Sequence, residues 1–182
     1  MKRKGILLAL ILLLFASVTF AANIKSYEEY TGRRTYTVTD TKSSSIFDLN
    51  NHYKITTIFS SVYEKGSNEA VKKLTLQYYT AEEAVIAIRP TIKLTIDDET
   101  WQLTATSRST VNSDGSIQFI WILPVAVTKS LMDTKKAITV RFFYNTPNGD
   151  CFKDYTIPHK IIAVVQTMYL QDIESVNSLL TE

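Results

Sequence analysis

The chain predicts a mainly β protein: an antiparallel two-sheet sandwich, or a partly closed barrel, with a C-terminal amphipathic helix. Three observations lead there. Stretches rich in Thr, Tyr, Val and Ile alternate apolar with polar residues, the period-2 pattern of half-buried strands. Gly32, Gly66, Gly115, Gly149, Pro90, Pro124, Pro147 and Pro158 fall between those stretches and read as turns. Beyond Pro158 the apolar spacing changes to three and four, the period of a helix.

A leader precedes the first strand. Lys2, Arg3 and Lys4 head an apolar run from Ile6 to Phe15, and small and polar residues ending at Ala21 follow. That is the layout of a secretory signal peptide. We expect residues 1–21 to be a cleavable signal peptide and residues 22–182 a single β-rich globular domain, exported to the periplasm or the extracellular space. A retained N-terminal anchor is the competing reading, since Gly5 to Ala22 approaches the roughly 20 residues a spanning helix needs. After cleavage no membrane span is expected. Nor is a lipid anchor, because the single cysteine, Cys151, is far from the cut.

The strands follow in order. Arg34 to Thr39 alternates plainly, His52 to Glu64 is a long run, and Lys72 to Thr80 is a third. Thr91 to Asp97 puts Ile92, Leu94 and Ile96 on one face; Trp101, Leu103 and Ala105 share a face across the turn at Asp97-Asp98-Glu99. Ile117 to Leu123 is apolar almost throughout, which predicts a central strand buried on both faces, anchored by Phe119 and Trp121. A short helical turn is expected from Val125 to Met132. Ile138, Val140, Phe142 and Tyr144 mark another strand, and Asn145 to Gly149 turns the chain into Phe152 to Ile157. Ile162, Val165, Tyr169, Ile173, Val176 and Leu180 form the stripe of the helix over 159–180, although the β-branched start of that segment also suits a strand.

Charge excludes one class of partner. The chain has 20 Lys and Arg against 18 Asp and Glu; without the leader 17 basic residues remain, a net of −1. No basic field is left to attract a phosphate backbone, so nucleic-acid binding is not expected. One cysteine makes no internal disulfide, and Cys151 is expected to be buried and inert.

Candidates for chemistry are few. Cys151 and His159, eight residues apart with Asp150 and Asp154 nearby, would make an activated thiolate only if they met in space; a core thiol and a helix-start histidine is the preferred reading. His52, His159 and Cys151 are too few for a structural zinc site. Asn112 to Ser116 is rich in oxygen ligands, but position twelve from Asn112 is Leu123 and not the glutamate a calcium loop requires. It reads as a solvated turn, as does Asp97-Asp98-Glu99. Tyr27, Tyr30, Tyr78 and Tyr79 suit either sheet packing or a glycan- or protein-binding face. Arg33-Arg34 and Lys72-Lys73 read as solvated strand edges. No catalytic, cofactor-binding or metal-binding residue is assigned, and no cofactor is expected.

These observations lead to an exported, non-catalytic binding module of the cell envelope or extracellular space. Its partner would be an envelope protein, a glycan or a small apolar ligand. Contacts would come from a sheet face or from the loops at Asp97–Thr100, Asn112–Ser116 and Asn145–Asp150. Two alternatives remain: an assembly subunit pairing at sheet edges, with Ala22 to Thr31 as donor arm, and a secreted hydrolase.

Overall fold

The computed structural model describes residues 24–43, 53–67, 69–81, 85–105 and 108–179. The expected leader (1–21) and His52 lie outside them. Among the described residues, ten strands and two helices follow in chain order: β1 Lys25–Glu28, β2 Arg34–Ser43, β3 Tyr53–Tyr63, β4 Val71–Thr80, β5 Ala87–Ile96, β6 Glu99–Thr104, β7 Thr110–Val111, β8 Ile117–Ile122, α1 Val125–Asp133, β9 Ile138–Thr146, β10 Gly149–Ile157 and α2 His159–Leu179. They form two antiparallel sheets, a larger one in the order β1-β2-β3-β4-β8-β7 and a smaller one in the order β10-β9-β5-β6. The sandwich is the architecture found, and neither sheet closes into a barrel.

Alternation builds the core. Val38, Phe59, Leu74 and Trp121 are successive cross-strand partners over β2, β3, β4 and β8, all essentially without solvent exposure. Ile92, Leu94 and Ile96 of β5 and Val140 and Phe142 of β9 oppose them from the smaller sheet. Each such side chain removed from water contributes about 1.5–3 kcal/mol. The C-terminal segment is a helix: Ile161, Ile162, Val165, Met168 and Tyr169 are buried at spacings of three and four, so an amphipathic stripe outweighs the β-branched start. This helix packs on β2 and β3. Gln166 of α2 donates to the backbone carbonyls of Leu131 and Thr134, tying the end of α1 to it.

Four expectations are corrected. The strand buried on both faces is β3, where Thr56, Ser60 and Val62 are buried as well as Ile55, Thr57, Phe59 and Ser61. In β8 only one face is covered, and Ile120 and Ile122 are 40% and 65% exposed. β3 lies between two long neighbours, whereas only the two-residue β7 lies outside β8. Pro90 is not a turn but sits inside β5, at a bulge between Ile88 and Ile92 where the ladder needs no N–H from it. Lys25–Glu28, within the segment read as a donor arm, pairs with β2 of its own chain. Cys151 is half-buried and not buried, because β10 is the edge of its sheet.

Candidate functional site

The outward face of the smaller sheet collects side chains from all four of its strands into rows. One row is Gln102, Lys93, Arg141 and Asp154, each directly opposite the next across β6, β5, β9 and β10. On one side lies a row of threonines, Thr100, Thr95, Thr139 and Thr156. On the other, Thr104 pairs with Thr91 and Phe143 pairs with Phe152. At strand spacings of about 4.8 Å and about 3.3 Å per residue, the platform measures roughly 15 Å across the strands by roughly 13 Å along them.

The bulge gives this platform its relief. Between the paired positions Ile88–Tyr144 and Ile92–Phe142, Arg89, Pro90 and Thr91 of β5 oppose the single residue Phe143 of β9. The displaced Pro90 carbonyl turns into the core, where it accepts hydrogen bonds from the Trp121 indole N–H at 2.6 Å and from the Ala105 backbone N–H at 2.9 Å. An open groove of about 510 Å³ results, lined by Arg89, Pro90, Thr91, Lys93, Gln102 and Phe143. Thus Trp121, the heaviest core anchor, also fixes the floor of the surface groove.

The cations of the face are not equivalent. Arg141 donates two hydrogen bonds of 2.7 Å to Asp154. That pairing holds the Asp154 carboxyl below the usual carboxylate range and raises the Arg141 guanidinium. The Arg141 guanidinium also lies 4.7 Å from the ring centre of Phe152, which is 58% exposed. Arg89 pairs with Asp150, whose other oxygen accepts from Asn145 at 2.5 Å. Lys93 is exposed and, among the described residues, has no carboxylate partner.

The loops named from the sequence do not converge. Asn145–Asp150 and Asp97–Thr100 lie at opposite ends of the smaller sheet, separated by most of the nine-residue β9, roughly 25 Å. Asn112–Ser116 closes on itself. Asn112 and Ser116 bond through backbone and side chain, and Ser116 donates twice to one Asp114 oxygen, lowering that carboxyl's pKa. Asp97 stands at φ 51°, a left-handed position that Asp tolerates, and accepts from Thr134 at the end of α1. Both acidic turns therefore spend oxygens on their own chain.

Cys151 and His159 are not brought together. Cys151 is near the start of β10 and His159 follows its end, so six extended residues, roughly 20 Å, separate Cys151 from Ile157 alone. Asp150 and Asp154 point outward to Arg89 and Arg141. Tyr78 is buried against Phe142 and Tyr144, while Tyr27 and Tyr30 are exposed. Arg34 pairs with Glu28, and Lys72 donates to Ser61 and lies over the Tyr169 ring. A signal for Arg89, Lys93, Gln102 and Arg141 was present as the polar half of each strand's alternation, with Phe143 and Phe152 as apolar exceptions to it, but alternation does not say which strands are neighbours.

Among the described residues, no group of three His, Cys, Asp or Glu side chains is placed to hold a metal ion, and no helix is long and apolar enough to cross a membrane. Comparison with protein-family models, curated proteins and solved structures finds no match for this chain.

Proposed function

We propose that this is an exported, non-catalytic binding module that holds a glycan on the outward face of its smaller sheet. Export is supported by the leader, whose charged head, apolar run and small residues before Ala22 suit a secretory peptidase. The observation that carries the binding reading is the groove opened by the β5 bulge: an aromatic wall, Phe143, with the amide of Gln102, the hydroxyl of Thr91 and two cations around it. Sugars need that combination, a ring to stack on their C–H faces and polar groups for their hydroxyls. A protein partner needs a larger apolar centre than the Phe143–Phe152 pair supplies.

The test is NMR shift mapping of the mature domain against a panel of soluble oligosaccharides. Perturbations should cluster at Arg89, Thr91, Lys93, Gln102 and Phe143. Phe143→Ala should abolish them without lowering Tm by more than a few degrees. Perturbations confined to the outward face of the larger sheet, or to the Asn112–Ser116 turn, would sink the reading.

A further inference from the structure

We infer that the sugar bound on this face is carboxylated and that Lys93 holds its carboxylate; the inference rests on that face being the contact surface. Lys93 and Arg141 are directly opposed on adjacent strands and share the outward face. Like charges in that relation repel and destabilise the sheet. Arg141 has its compensation, since both Asp154 oxygens are engaged by its guanidinium. Arg89 has Asp150. Lys93 is flanked on its other side by neutral Gln102 and, among the described residues, no acid balances it. A bound carboxylate supplies the missing charge, and Gln102 beside it supplies an amide for a neighbouring hydroxyl.

The surroundings fix the class further. Lys93 and Phe143 line one groove, so an anion and an apolar sugar face are met together. With Arg89 and Arg141 offset by Asp150 and Asp154, Lys93 is the one cation of these five groups left to meet a ligand, too little charge to hold a densely charged polyanion such as a polyphosphate. One carboxylate per sugar, spaced along a chain of stackable rings, is the charge density that fits. The roughly 15 Å platform accommodates about three such units.

The experiment titrates the mature domain with a galacturonic acid trisaccharide and with its methyl ester, which keeps the sugar rings and hydroxyls but removes the charge, and follows both by NMR and calorimetry. The acid should bind with perturbations at Lys93 and Phe143, and binding should weaken as salt is raised. The ester should bind at least about tenfold more weakly, and Lys93→Gln should lose the same factor for the acid, since a charge-assisted hydrogen bond is worth that much. Lys93→Gln is an exposed substitution that relieves the repulsion from Arg141, so it should not lower Tm. Equal binding of acid and ester, or an unaffected Lys93→Gln variant, with perturbations still at Phe143, overturns the carboxylate assignment while leaving the glycan face standing. Binding of neither probe at Phe143, when neutral oligosaccharides do perturb it, also overturns this assignment alone. Silence of the whole face toward every sugar overturns both.

Discussion

The indole N–H of Trp121 on β8 donates a 2.6 Å hydrogen bond to the carbonyl of Pro90 on β5, linking the cores of the two sheets at the point where β5 bulges. Trp121 is 1% exposed, so this bond is shielded from water. Trp121→Phe keeps an aromatic ring but removes the donor and leaves a void. It should cost about 2–3 kcal/mol in urea unfolding. It should also broaden the amide signals of Arg89 and Thr91, because the bulge loses an anchor. A variant destabilised by this amount with sharp, unshifted signals there would separate the groove from the core.

Tyr155 and Asp40 make a second link between the sheets. The Tyr155 hydroxyl donates to Asp40 Oδ2 at 2.5 Å, across 115 residues of sequence. Burial, then the hydrogen bond and negative charge of Asp40, push the tyrosine pKa well above its ordinary 10.0. The protonated form is the one the fold favours. Its contribution is therefore complete below about pH 10 and is lost as pH rises above it. Tyr155→Phe should lower stability by about 1–2 kcal/mol at pH 7. The difference from the unmodified protein should shrink in denaturant melts above pH 10; a constant difference would contradict the assignment.

Asp154 titrates the other way. Its hydrogen bonds from Arg141 depress its pKa, so its contribution is present above the ordinary value of 3.8 and falls away as pH drops through the lower folded value. Carboxyl-carbon NMR should place Asp154 below an exposed reference aspartate. Arg141→Gln should return it to the ordinary range. Because the pair is solvent-exposed, neither change should move Tm appreciably.

Asp97 combines a left-handed backbone with a side-chain bond to Thr134, so its variants should rank by mechanism. Asp97→Gly relieves the backbone but loses the bond. Asp97→Ala loses both and should be the least stable, by about 1–2 kcal/mol relative to the unmodified chain. Asp97→Asn keeps the backbone tolerance and an acceptor and should cost least. Thermal melts of the three decide it; an alanine variant as stable as the asparagine one would remove the strain argument.

Much of the fold was legible in the sequence because strand alternation and helix periodicity are local signals. The residue types of Thr91 to Asp97 and Ile138 to Tyr144 assign their inward faces unaided, and those faces are the ones buried. The hairpin at Asp97-Asp98 and the helix after Pro158 follow from turn chemistry and period in the same way. The apolar run of β8 misled because periodicity measures what a strand can bury, while the sheet's edge decides what is covered. Pro90 misled for a related reason: a proline breaks a ladder only where its N–H is wanted, and the bulge does not want it.

The sequence by itself determined two sheets' worth of amphipathic strands and a terminal helix. Only the tertiary structure decided that Gln102, Lys93, Arg141 and Asp154 form one row, that Lys93 faces Arg141, and that Cys151 and His159 stay apart. The physical reason is range. Which way a side chain points is set by its own backbone within a few residues, whereas which side chain stands beside it is set by strand pairing between segments tens of residues distant.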